Sequence, residues 1–289
     1  MTVETVRLPL SIAVFPYLQD HRFEGNAVYP AVEAIQTLAR AVKKFRPETD
    51  ITAITDTTFD KFLLIPPDLK NIDALCSITP LENGDIIAVL QTKIRAKNAA
   101  FTRIKEHVTV HYPRLKPKVA TYLPDSFSFG KNNCLEILPG PIYRELVPFG
   151  PSYHNISEKL IVHKDGVLAK LQAPIISDAI EKTGQLGSPF VLDAAFHTAC
   201  VWGQRFSGVV AFPVGIEKRI VIKPTRPGGA YISAAIPVQS DADKLVFDIC
   251  IYDDDKTLYE MAAGVHMRDV SAGRLKPPSW IIESKGKTR

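Results

Sequence analysis

No stretch of the 289-residue chain is apolar for long enough to cross a bilayer as a helix, so a helical membrane protein is not expected. The opening residues, MTVETVRLPLSIAVF, have neither a basic leader region nor a small-residue cleavage site, and no secretory signal is read there. Cysteine is scarce: Cys76, Cys134, Cys200 and Cys250 lie far apart, with no CxxC spacing. That argues against a disulfide framework and a cysteine zinc site, and points to a reducing, cytoplasmic setting. Charge of one sign is also lacking. The net charge is only +4, and no basic run is interleaved with aromatic residues, so nucleic-acid binding is not expected. No strict internal repeat is present.

What is there is the composition of an ordinary globular chain, 46% hydrophobic and 23% charged. Two segments read as helices. From Pro30 to Phe45, apolar residues cover well over half the circumference, and SPFVLDAAFHTACVWGQRF (188–206) is more apolar still. Ser188 suits an N-cap and Pro189 the first helical position. A helix that is hydrophobic nearly all round is a buried one. Most of the remainder reads as strand, including DIIAVLQTKIRAK, KLIVHKDGVLAKLQA, GIEKRIVIK, AYISAAIPV, KLVFDICIYD and TLYEMAAGVHMRD. Turn signals stand at NGD 83–85, KDG 164–166, PGG 227–229 and DDDK 253–256. The order is strands, buried helix, strands, and then the same again. The expected fold is α+β, with one long helix wrapped by antiparallel sheet in each half. The first half covers 1–140, with a proline-rich connection from about 112; the second covers 141–275, and 276–289 reads as a linker tail.

A carboxylate inside a buried helix is expensive unless it has a purpose. Asp193 sits between Leu192 and Ala194, and His197 follows at i+4 on the same helical face. The bland reading is a satisfied polar pair. The functional reading is an acid whose pKa burial would raise, so that it holds a proton near neutrality. His21 precedes the first helix, where a structural or capping histidine is the ordinary explanation, and Gly25 can be a simple turn glycine. Alternatively, His21 as base and the Gly25 N–H as oxyanion donor would suit removal of a proton α to a carbonyl. His107 and His111 in HVTVH have a spacing found in metal sites. Strand alternation would put both on one solvated face, however, and no third ligand is evident, so no metal is expected.

HRFEGNAVYP (21–30) resembles the HxxxGxxxxP motif of polyketide synthase dehydratase domains. LDAAFH (192–197) is similar to their DxxxQ/H motif, and IYRELVPFGPSYHNI to their tyrosine-bearing segment with its GPxF ending. AFPVGIEKRIVI resembles the segment that follows the second helix, and the last two long strands fit the closing hairpin. The resemblance covers nearly the whole chain in order, with polyunsaturated-fatty-acid-type and bacterial iterative synthases as its nearest flavour. It implies a double hot-dog fold and a homodimeric domain cut from a larger synthase. It implies no metal or redox cofactor, the substrate being carried on the phosphopantetheine of an acyl carrier protein. His21 would be the base that takes the α-proton of a 3-hydroxyacyl thioester. Asp193 would protonate the departing hydroxyl, His197 would orient Asp193, and the Gly25 N–H would hold the thioester carbonyl. Pro30, Tyr143, Gly150, Pro151 and Tyr153 would line the substrate tunnel. Ala31 and Phe149 depart from the family's usual glycine and tyrosine. The histidine at 197 also occurs in product template domains, so cyclisation or double-bond isomerisation by the same pair stays open beside dehydration, as does a non-catalytic scaffold.

Overall fold

The computed structural model describes residues 4–95, 102–118, 134–176, 184–241 and 244–283. Two long helices organise it, α1 (Ala31–Phe45) and α2 (Pro189–Phe206). Pro30 is the N-cap of α1 with extended backbone, and Pro189 opens α2 behind Ser188. Ser188 makes no side-chain cap; its backbone N–H donates to Thr225 Oγ1 at 2.8 Å. Every residue of α2 from Pro189 to Gln204 is buried, as its all-round apolarity requires. Phe206, at its end, is exposed and tilts against Trp202.

The strands are β1 (Val6–Ala13), β2 (Arg22–Phe23), β3 (Asn26–Ala27), β4 (Ala53–Phe59), β5 (Asn71–Pro80), β6 (Ile86–Arg95) and β7 (Thr102–Tyr112), then β8 (Leu135–Ile137), β9 (Leu160–His163), β10 (Gly166–Gln172), β11 (Phe212–Val221), β12 (Ala230–Asp241), β13 (Lys244–Tyr252) and β14 (Leu258–Arg268). Twelve of them form one antiparallel sheet in the order β1-β5-β6-β7-β4-β11-β14-β13-β12-β10-β9-β8. The first five hold α1 and the remaining seven hold α2. This is the expected α+β, double hot-dog arrangement, with the two sheets fused rather than separate. β4 pairs with β11 from Gly215↔Thr58 to Ile220↔Ala53, so each half covers what would otherwise be the other's open edge. The fusion also sets α1 against α2.

Two local expectations are corrected. His107 and His111 do not share a solvated face. Leu90 pairs with Val108 but Gln91 with Glu106, so His107 is the extra residue of a bulge. The bulge turns His107 inward, where it is buried, while His111 stays near the surface beside Asp85. The tail, read as a linker, is folded as far as Glu283. A short helix, α3 (Ser279–Glu283), buries Ile281, Arg205 donates to the carbonyls of Ile281 and Ile282, and Trp280 Nε1 donates to Glu145. Residues 284–289 of the tail and 119–133 of the connection between halves lie outside the described residues. Among the described residues, no helix is long and apolar enough to cross a membrane.

Close to the seam between the halves, Arg219 Nε of β11 meets Glu260 Oε1 of β14 at 2.6 Å, with both side chains buried. A buried pair loses most when only one partner is removed, because the other charge is stranded. Arg219→Met is therefore expected to destabilise the chain by about 3–5 kcal/mol. Arg219→Met combined with Glu260→Leu should recover most of that loss in urea unfolding. A double variant no more stable than the single one would show that the pair is not a self-contained unit.

Candidate active site

His21 is held by its own backbone ladder. β2 and β3 form a hairpin, Arg22↔Ala27 and Phe23↔Asn26, closed by Glu24 and Gly25 at φ 47° and 80°. Two successive residues with positive φ make the tight hairpin turn that favours glycine in its second place. The ladder brings Val28 opposite His21. The Val28 N–H donates to the His21 carbonyl at 2.8 Å, and His21 Nδ1 lies 3.0 Å from the Val28 carbonyl. A carbonyl only accepts, so Nδ1 carries the proton and Nε2 is left with the lone pair. That Nε2 is 3.8 Å from Asp193 Oδ1, although 172 residues separate the two in sequence.

Asp193 lies one turn inside α2, and His197 Nε2 lies 2.9 Å from its other oxygen, Oδ2. The contact is at i, i+4 and bent away from a straight hydrogen bond. Burial pushes the Asp193 carboxyl up, but His197 beside it and His21 across from it outweigh this, and the net direction is down. The expectation that burial would keep Asp193 protonated near neutrality is therefore corrected. In the free site it is a carboxylate. Burial pushes the His21 imidazole down, the Asp193 carboxylate opposes this in part, and His21 stays neutral around pH 7.

A latch between the halves sets the register of the two groups. Asp20, next to His21, accepts from the backbone N–H (3.0 Å) and hydroxyl (2.6 Å) of Ser152, while its carbonyl accepts from the Gly150 N–H at 2.7 Å. A Cβ on Gly150 would collide with the Asp20 side chain, which explains a glycine there. The same segment puts Phe149 and Tyr153 against the His21 ring, with centroids 4.3 and 5.1 Å away; Phe149 also meets His197 at 5.1 Å.

His21, Asp193 and His197 line one cavity of about 650 Å³, together with Phe149, Phe196 and Phe212. The other expected residues lie elsewhere. Pro30, Tyr143, Gly150, Pro151 and Tyr153 are absent from its wall and sit behind it. The Tyr143 hydroxyl accepts from the Ile156 N–H at 2.8 Å, and its ring stacks on His154. Gly25 lines a smaller neighbouring cavity of about 290 Å³. Sequence reasoning missed Asp20, though it adjoins His21, and His107, whose Nδ1 and Nε2 are tied to the Lys61 carbonyl and Thr92 hydroxyl on the cavity wall. It also missed the buried Glu33, which accepts from the Tyr17 hydroxyl at 2.8 Å behind the site.

Comparisons with known proteins bear on this geometry. A family model described as the polyketide synthase dehydratase N-terminal domain matches residues 142–277, the half that contains Asp193 and His197. One of the subunits of a polyunsaturated fatty acid synthase from Thraustochytrium sp. is 25% identical over 226 residues, 76% of this chain. The chain spans only 8% of that protein's length. Among solved structures, a trans-AT polyketide synthase dehydratase domain from Brevibacillus brevis superposes with TM-score 0.75 at 20% identity, covering 92% of this chain and 94% of that one. The dehydratase domain from the CurF module of the curacin polyketide synthase gives 0.73 at 17%, covering 91% and 93%. At these identities the structures establish the fold, in both halves.

Two outcomes are expected. Gly25→Val should destabilise by about 1–2 kcal/mol and Gly25→Asn by clearly less, since asparagine tolerates positive φ; equal costs in urea unfolding would contradict the turn role. The second concerns pH. A histidine whose folded pKa is depressed gives stability that is present above its unfolded value of about 6.5 and lost as pH falls toward the folded one. The fall in unfolding free energy between pH 7.5 and 5.5 should therefore be smaller in His21→Gln than in the parent. An unchanged fall would mean that His21 is not held neutral.

Proposed function

We propose that this chain is a polyketide synthase dehydratase domain that removes water from a 3-hydroxyacyl thioester, carried on the phosphopantetheine of an acyl carrier protein, to give the trans-2-enoyl thioester. The single observation that supports this most is the approach of a lone-pair-bearing imidazole nitrogen to a carboxylate, 3.8 Å apart in one largely apolar cavity.

An α-proton beside a thioester is weakly acidic, and a hydroxyl is a poor leaving group, so elimination needs a base and an acid on opposite sides of one C–C bond. His21 Nε2 takes the α-proton, and its Nδ1–H bond to the Val28 carbonyl keeps the ring aimed as it becomes cationic. The C–H electron pair becomes the new double bond as the β C–O bond breaks. As substrate enters, Asp193 takes up a proton from solvent, with His197 Nε2 beside its Oδ2 fixing the carboxyl. Asp193 passes that proton to the departing oxygen, which leaves as water, and the proton that His21 took from carbon returns to solvent. Developing positive charge on His21 is met by the Asp193 carboxylate nearby, an attraction strengthened by the apolar side chains around the pair. Each proton-transfer group contributes typically about 10²–10⁴ in rate.

The other domains of a synthase would supply the substrate and take the product. The test is incubation of the chain with a 3-hydroxyacyl thioester, read by mass spectrometry. The parent should give a product lighter by one water, with no change in the handle. His21→Phe and Asp193→Asn should each lose about 10²-fold or more in rate. A product of unchanged mass with a moved double bond or a new ring would favour isomerisation or cyclisation. No product from the parent would leave only a scaffold, and equal activity in parent and variants would remove His21 and Asp193 from the reaction.

A further inference from the structure

The smaller cavity, about 290 Å³, shares Val147, Phe149, Cys200 and Phe212 with the main one and so lies directly behind that wall. Asp193, His197, Cys200 and Gln204 follow at i, i+4, i+7 and i+11, a single stripe along α2. At the rise of an α-helix, Gln204 is about 16 Å along the axis from Asp193. The stripe leads from the reacting pair past the shared wall into the side chamber, where Gln204 and Gly25 both form part of the lining.

Gln204 is fully buried. Its Nε2 donates to the Leu146 carbonyl at 2.8 Å and lies 3.5 Å from Cys200 Sγ. A carbonyl cannot donate, so the amide orientation is set and Oε1 is the free end. Among the described residues, Oε1 has no hydrogen-bond partner. A buried acceptor left unmet is costly beside Leu146, Val147, Phe149 and Phe212, with the charged Arg22, Glu24, Glu145 and Lys276 also on the chamber wall, and a donor from a ligand would satisfy it.

We propose that the side chamber is a second compartment of the substrate site, in which Gln204 Oε1 accepts a hydrogen bond from an N–H or O–H donor on the thioester substrate. This rests on the dehydration reading above. One chemistry can come from two sources: an amide N–H of the pantetheine handle, or a hydroxyl farther along the acyl tail.

Three 3-hydroxyacyl thioesters separate the sources: one with an S-propyl handle, which has no N–H, and a plain tail, one with a pantetheine handle and the same tail, and one with the S-propyl handle and a distal tail hydroxyl. Both kcat/KM and calorimetric affinity are read for the parent, Gln204→Leu and Leu275→Trp, which fills the chamber from outside α2. The parent should prefer one of the two donor-bearing substrates over the plain one by about tenfold. Both variants should bring that ratio close to one, and the substrate affected identifies the source. If Gln204→Leu does not fold, the ratio in Leu275→Trp decides. No preference in the parent, or a preference that survives in the folded variants, would overturn the proposal. A parent that binds these thioesters with the expected preference but releases no water would overturn the dehydration reading alone.

Discussion

The site depends on one constraint: a neutral imidazole must face a carboxylate across a narrow, largely apolar gap without being quenched by it. Direct contact would trade the base's lone pair for an ion pair, and wide separation would remove the field that favours the imidazolium during proton transfer. The 3.8 Å approach of His21 Nε2 to Asp193 Oδ1 lies between these limits. It is maintained from both sides. The Val28 carbonyl takes the Nδ1 proton and fixes the tautomer, while His197 draws the far oxygen of Asp193 to itself.

The rest of the architecture serves that spacing. Joining β4 to β11 makes a continuous sheet of two helix-holding halves, and α1 and α2 come together beneath the seam. Asp20 then carries the register of the first half to the second through Ser152 and Gly150, one residue away from the imidazole it positions. Phe149 and Tyr153 follow from the same latch and keep water from the His21 ring. Gly150 and Tyr153 therefore lie behind the His21 ring rather than on the cavity wall, and Tyr143 and Pro151 also lie off that wall.

Much of this was legible because it is local. The helices announce themselves by all-round apolarity and by Pro189, the later hairpins by KDG and DDDK, and the Asp193–His197 pair by its i, i+4 spacing. Features that depend on distant partners were not. β1 contains Pro9, which argues against a strand unless the strand lies at an edge, as it does. The bulge that turns His107 inward exists only in the register of β7 against β6. Asp20 looks like a surface residue until a segment 132 positions away reaches it. Of the two readings of Gly25, the turn glycine is the one that the positive φ of a two-residue turn supports.

The state of one imidazole tests the account most directly. In ¹⁵N NMR of the ring nitrogens, with His21 assigned by loss of its signal in His21→Gln, the parent at pH 7 should show the neutral form protonated at Nδ1. The carboxylate across the gap raises the His21 pKa in part, so Asp193→Asn should move its titration to still lower pH. A His21 protonated at Nε2, or one whose titration is indifferent to Asp193, would contradict the claim that these two side chains work as a pair.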